Sequence, residues 1–369
     1  MNNADEWRLS PLNFEDWFAG LSLILIAVFS ISLYAIMMWI MKRQDKEIVG
    51  YRFLISAGFS DLILLVNYGI WPGLTILTKS EIIPESWRTW QQLYLDWAWF
   101  SMVSHYSVVS WSRWMAIRKP LDFRNQKRKT SYSLCAVCYA VALILVLSTH
   151  FQQWYVTFYY EPSSYGMLAE DFGLYLSGGQ SALFLAFHIA AIIPPIVFYA
   201  WSITLLYHRR TTMLLVNQQS VQNSIETRLL MPCLINVVTF IIGQVLITVG
   251  TGEGKWAGYT VMVLFAANSA LNPFLLLICS KTLRKQVLDL LGVAKIATLD
   301  KLETSTVYRQ NRGTIMVLTI YICIILLNIH AVNGDLCSSK LVHNEPNLSQ
   351  RFLSLPSSFR SKEKLGTPV

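Results

Sequence analysis

Two acidic residues and one arginine stand where charge is costly. Asp61 lies in an otherwise uncharged apolar run, residues 53–78; Asp96 lies in the run 89–112; Arg113 follows directly on that run. In a helix surrounded by lipid an uncompensated charge costs a few kcal/mol, so such residues mark either a functional site or a partner that holds neighbouring helices together. For Asp61 both readings stand. At roughly 100° per helical residue, Arg113, 14 residues after Trp99 and 18 after Leu95, shares one face with both. Asp96 is turned away from Arg113 by about 100°. Metal chemistry has little support: His105, His150, His188 and His208 are isolated on separate segments, and the Cys135-x-x-Cys138 pair has no second pair near it. Cys135, Cys138, Cys233 and Cys279 lie inside apolar runs and read as small packing residues.

The elements that must position these residues follow from composition. Of 369 residues 54% are hydrophobic and 14% charged, with a mean hydropathy of +0.41. Soluble domains carry roughly 25% charged residues, so a cytosolic enzyme, a disordered chain and a nucleic-acid-binding domain are excluded. Runs with almost no ionised side chains cover residues 19–41, 53–78, 89–112, 130–160, 172–207, 229–252 and 256–280, with an eighth at 313–334. They are too long for membrane strands and show no alternation, so each is predicted to be a helix, and the first seven form an all-α membrane bundle over 19–280. The first run begins behind an acidic leader and is too long for a signal core, so no cleavable signal is expected and residues 1–18 form the N-terminus.

Sixteen Lys and Arg follow spans one, three, five and seven, against Arg8, Lys79, Arg88 and Lys255 on the other side. The positive-inside rule therefore puts the N-terminus outside the plasma membrane and assigns the net charge of +8 to cytoplasmic anchors, with no nucleic-acid partner. Trp17, Trp39, Trp71, Trp87, Trp90, Trp154 and Trp256 lie near span ends and are expected to form an interfacial belt. Residues 281–292 have the amphipathic pattern of a helix lying along the inner leaflet. A cytoplasmic linker, 293–312, then leads to the run 313–334 and to a polar tail, 335–369, read as disordered. The eighth run is either a further crossing helix or, beginning at Met316, a signal-like stretch joined from a neighbouring reading frame.

Three local patterns supply a resemblance. Ser112-Arg113-Trp114-Met115-Ala116-Ile117-Arg118-Lys119-Pro120-Leu121, at the inner end of span three, resembles the D-R-Y-x-A-I-x-x-P-L stretch of rhodopsin-like (class A) G-protein-coupled receptors. Asn268-Ser269-Ala270-Leu271-Asn272-Pro273 in span seven matches that family's N-S-x-x-N-P run, and Ser60-Asp61-Leu62 stands where the family has its intramembrane Asp. The departures are the lack of a Trp in span four short of Trp154 at its outer end, of a central Pro in span six and of any outer-loop Cys, so the family's usual disulfide from span three to the second outer loop cannot form. Such divergence looks most like the nematode chemoreceptors.

The resemblance implies a receptor, not an enzyme, which couples an extracellular ligand, a chemosensory small molecule or a neuropeptide, to a heterotrimeric G protein. Arg113, flanked by Ser112 and Trp114, becomes the coupling switch, with Glu226 as its resting-state restraint. Asp61 would face Asn268, Ser269, Asn272 and Pro273 in a polar core. Met102 replaces a Ser ligand of many relatives, which argues against bound sodium. Leu95, Asp96, Trp99 and Gln244 become candidate ligand contacts, with Trp99 flooring the cavity. Asp96 is one position past the family's amine-binding Asp, which argues against an amine, and its expected partner lies on span two or four. Ala266 replaces the retinal lysine of opsins, so no cofactor is expected. A multi-pass transporter is the alternative; it predicts paired broken helices, and only Pro194-Pro195, read as a break in span five, fits.

Overall fold

In the computed structural model, residues 3–213, 229–249 and 254–290 are described. They fold as a helical bundle with one small β-hairpin. The elements are α1 (Asn3–Leu9), α2 (Phe14–Gln44), α3 (Gly50–Leu65), α4 (Trp71–Thr78), α5 (Arg88–Arg118), α6 (Pro120–Arg124) and α7 (Arg128–Thr149). Strands β1 (Phe158–Glu161) and β2 (Gly166–Ala169) follow, then α8 (Phe172–Ser177), α9 (Gln180–Met213), α10 (Leu230–Val249), α11 (Lys255–Cys279) and α12 (Lys281–Leu290). The seven predicted spans correspond to α2, the joined α3 and α4, α5, α7, α9, α10 and α11. Lys42, Arg43, Arg118 and Arg128 lie at one end of these helices, hereafter the basic end; α1 and the hairpin lie at the other, the lidded end.

Local chemistry explains where helices start and bend. α2 begins five residues ahead of the apolar run because Asn13 caps it: Asn13 Oδ1 accepts from the Asp16 amide (2.8 Å) while Asp16 Oδ2 accepts from the Asn13 amide (3.1 Å). Pro72 lacks an amide hydrogen, and the turn ahead of it, Val66–Ile70, widens to a π turn that joins α3 to α4 without a break. The expected break at Pro194-Pro195 does not occur, since α9 runs through both prolines. Pro195 leaves the Ala191 carbonyl without its helical donor, and Ser107 Oγ of α5 donates to it instead (3.1 Å).

The predicted span 130–160 ends early, and part of it is not helix. α7 stops at Thr149, and Phe158-Tyr159-Tyr160-Glu161 pairs antiparallel with Gly166–Ala169, Phe158 opposite Ala169 and Glu161 opposite Gly166. Aromatic residues favour a pleated, half-buried surface, and hydropathy alone does not distinguish such a stretch from the end of a helix.

α5 packs against α3, α7, α9 and α10 and is the axis of the bundle. α2 meets α4 backbone to backbone. A Cβ on Gly73 would stand 2.5 Å from Ile24 Cγ1 and 2.6 Å from the Gly20 carbonyl oxygen, and one on Gly69 2.5 Å from Ala27 Cβ. In α10, by contrast, a Cβ on Gly243 would meet nothing within 4 Å among the described residues.

Candidate functional site

Of the polar-core residues expected to face Asp61, Asn272 bonds it directly, and Tyr34, which the sequence reading missed, is its second partner. Asp61 is 1% exposed. Its Oδ2 accepts from Asn272 Nδ2 (2.8 Å) and from the Tyr34 hydroxyl (2.5 Å). The same hydroxyl lies 3.0 Å from the Ser269 carbonyl oxygen, the acceptor that Pro273, four residues on, leaves without a helical donor. Tyr34 thus ties α2, α3 and α11 together. Asn268 turns instead to the Tyr106 hydroxyl (3.5 Å). Beside this core is a cavity with ≈ 30 Å³ of room for water-sized occupants, bordered by Tyr34, Asp61, Met102, Tyr106, Asn236 and Pro273. Asp61 Oδ1 and Asn236 Oδ1, of residues that border it, and Asn268 Oδ1 and Ser269 Oγ, which do not, are buried with no hydrogen-bond partner among the described residues. A hard cation takes oxygen ligands, and Met102 offers sulfur in place of one, so ordered water suits this donor set better than sodium.

Toward the lidded end an aromatic hub closes the bundle. The Trp99 ring meets Phe265 edge-on (4.9 Å between centroids), Tyr68 (6.1 Å), Phe240 (5.9 Å) and His188 (6.1 Å). His188 Nδ1 lies 2.6 Å from the Phe184 carbonyl, which can only accept, so Nδ1 carries the proton and Nε2 accepts from Trp99 Nε1 (2.9 Å). Phe240 of α10, which also stacks on His188 (6.0 Å), is therefore part of the hub. Trp99 was expected to floor a ligand cavity; it is packed within this hub, and the cavity above is bordered by Leu95.

That second cavity, with ≈ 20 Å³ of room for water-sized occupants, lies beneath the hairpin. Side chains alternate along a strand: Phe158 and Tyr160 face the cavity, while Tyr159 lies under the Arg88 guanidinium (4.2 Å to the ring centroid) and Glu161 pairs with Arg8 (3.4 Å). Glu81 joins the two arginines, bonding Arg8 and also Arg88 (2.6 Å). At the hairpin tip Tyr165 takes a left-handed φ of 50° and donates its hydroxyl to Asp16. Gly166 and Gly258 let the two backbones meet there, since a Cβ on Gly166 would stand 2.7 Å from Gly258 Cα. Lys79 bridges Asp16 (3.1 Å) and the Trp7 carbonyl (3.0 Å).

One partner of Asp96 lies within the run 130–160 read as span four, but past the end of its helix, and the other is on its own helix. Asp96 Oδ1 accepts from Gln92 Nε2 on its own helix (2.8 Å), and its Oδ2 accepts from the Tyr155 hydroxyl in the connection between α7 and the hairpin. Gln244 is half-buried on α10. Of the tryptophans expected in the belt, Trp17, Trp39, Trp87 and Trp90 are exposed, whereas Trp71 borders the lidded cavity and Trp256 supports Tyr165 (5.9 Å).

Near the basic end Arg113 is 1% exposed and its Nη2 donates to the Gly50 carbonyl at the start of α3 (3.0 Å). Ser112 Oγ donates to the Val109 carbonyl (2.7 Å). Trp114 points the other way, against Phe198 and Trp201 of α9, with the Arg118 guanidinium 4.9 Å from its ring centroid. Glu226 lies outside the described residues, as do the linker 293–312, the eighth run 313–334 and the tail 335–369.

The comparisons with known proteins agree with this arrangement. The fold is similar to the crystal structure of squid rhodopsin, with a TM-score of 0.63 at 12% identity over 85% of this chain and 90% of that one. No curated protein sequence matches the chain. Residues 18–293 match the model of the serpentine type 7TM GPCR chemoreceptor family Srv. The chain belongs to the Srv chemoreceptor family. It is thus a seven-transmembrane, multi-pass membrane receptor of the G-protein-coupled class and not an enzyme, and its departures from the rhodopsin-like pattern are those of a divergent branch.

In this receptor the four described cysteines are all free and buried. The contacts of Arg88 with Tyr159 and of Tyr155 with Asp96 tie α5 to the hairpin segment where other rhodopsin-like receptors are expected to use a disulfide. Sequence reasoning missed Tyr34, Tyr106, Gln92, Tyr160 and His188. For Tyr34 a signal existed in Pro273, whose position names the carbonyl that needs a new donor.

Proposed function

We propose that the receptor sits in the plasma membrane with its N-terminus outside the cell, admits a chemosensory ligand to the cavity beneath the hairpin, and answers by opening its basic end to a heterotrimeric G protein. One observation carries this reading. Along α5, Leu95 borders the lidded cavity, Trp99 sits in the aromatic hub, Met102 and Tyr106 border the polar cavity and Arg113 is buried toward the basic end. From Leu95 to Arg113 that column runs about 27 Å at 1.5 Å per residue. Displacement by a ligand at one end has packed side chains through which to reach the other.

In this reading Arg113, with Ser112 and Trp114 on either side, is the coupling switch and its bond to Gly50 belongs to the resting state. Glu226 is the acidic restraint of the same arginine, and Asp61, Asn268, Ser269, Asn272 and Pro273 form the core that repacks. Leu95, Asp96, Trp99 and Gln244 shape the ligand end, Asp96 by fixing Gln92.

The test is a ligand-panel screen with a G-protein dissociation readout in cells that display the full chain. Arg113→Ala is expected to abolish the ligand-evoked signal at unchanged surface level. Glu226→Gln is expected to raise ligand-free signalling several-fold, since about 1 kcal/mol changes a two-state population by that factor. A full response from Arg113→Ala would refute the coupling mechanism.

A further inference from the structure

The lining of the lidded cavity describes its occupant. Trp71, Leu95, Phe158, Met167 and Met262 make most of the wall apolar. Asn67, Gln91, Gln92 and Tyr160 supply the polar groups, and no Asp, Glu, Lys, Arg or His borders it. Two of those polar groups are incomplete. Gln92 is 4% exposed and gives Nε2 to Asp96, leaving Oε1 buried with no partner among the described residues. Tyr160 is 9% exposed and its hydroxyl is likewise buried with no hydrogen-bond partner among the described residues. Asp96 is not among the described residues that border this space, and its two oxygens accept from Gln92 and Tyr155.

We infer that this cavity selects a small, uncharged molecule with an apolar body and one hydrogen-bond donor, which gives its hydrogen to Gln92 Oε1 and meets the Tyr160 hydroxyl beside it. The inference rests on the reading of this cavity as the ligand site and narrows the ligand's chemistry. An unsatisfied buried acceptor is destabilising, so a ligand that donates to it binds better than an isostere that does not. An ammonium or carboxylate group would lose its hydration without finding a counter-charge. A peptide exceeds the space: ≈ 20 Å³ holds one or two waters, and the flexible thioethers of Met167 and Met262 must shift to admit even a small aromatic or aliphatic body.

The test uses purified full-length receptor in lipid nanodiscs and four probes on one skeleton: benzyl alcohol, benzyl methyl ether, benzylamine and benzoate. Binding is read as the shift in thermal midpoint against concentration, with no G protein present. Benzyl alcohol is expected to bind about tenfold more tightly than the ether, the worth of one good hydrogen bond, and the charged pair not to bind measurably. Gln92→Leu should erase the alcohol–ether gap. Since that change also frees Asp96, Tyr160→Phe gives a second, conservative variant, in which the gap should narrow. Equal binding of alcohol and ether, binding of either charged probe at least as tight as the alcohol, a gap untouched by both variants, or no binding by any probe would each overturn the inference. Failure of the coupling proposal appears elsewhere, in a receptor that binds the alcohol and evokes no G-protein response.

Discussion

Asp61 was legible in the sequence because a carboxylate in an uncharged run stands out, and Asn272 was legible from the motif around it. Their third partner was not. Tyr34 sits in the run 19–41 among residues that bury themselves for apolar reasons, and what sets it apart is a carbonyl freed by Pro273, 239 residues later in the chain. Tyr34→Phe should remove the one hydroxyl hydrogen within reach of both Asp61 Oδ2 and the Ser269 carbonyl and lower the stability of the purified receptor by about 1–2 kcal/mol. A thermal midpoint equal to wild type would show that another group satisfies them. Asp61→Asn keeps the size of the side chain and its capacity to accept from Asn272. It should therefore reach the surface and alter the agonist response, whereas retention inside the cell would reduce Asp61 to a structural tie.

At the scale of elements the helices were legible and the hairpin was not. Seven of the uncharged runs gave helices because a bilayer-length apolar segment has few other ways to satisfy its backbone, and the boundaries moved only where caps or prolines acted, as at Asn13 and Pro72. The stretch 158–169 was absorbed into a span by its hydropathy, although Phe158-Tyr159-Tyr160 carries the aromatic signature of a strand. Since that hairpin closes the lidded cavity, the proposed ligand site was the least legible part of the molecule. Its clasp predicts a dependence on pH. Burial pushes the Glu81 carboxyl up, but hydrogen bonds and charge from Arg88 and Arg8 outweigh it and hold the group below the usual carboxylate range. The ionised form is therefore the one that binds the arginines. Its contribution is complete above the ordinary carboxylate range and is lost as pH falls through the lowered value. These pairs are partly exposed and worth about 0.2–1 kcal/mol each. Acidification should then speed hydrogen exchange at 158–169 by about two- to fivefold beyond its intrinsic pH dependence. In Glu81→Gln that excess should already be present at neutral pH and respond no further to acid; an unchanged exchange rate in this variant would show that the hairpin is held without the clasp.

For the molecule as a whole, the proposed orientation rests on a bias of sixteen basic residues to four. Epitopes placed at the N-terminus and in the 208–228 loop of intact cells should be accessible and inaccessible, respectively, until the membrane is permeabilised; the reverse pattern would invert the proposed topology. What the charge bias does not convey is which part of the bundle can move. Where Gly20, Gly69 and Gly73 bring α2 and α4 into backbone contact, there is no slack for one helix to slide past the other. A Cβ on Gly243 of α10 would meet nothing within 4 Å among the described residues. In the proposed coupling α2 and α4 would therefore serve as the fixed bed of a lathe, and the repacking that joins the two ends would fall on helices without such backbone contacts.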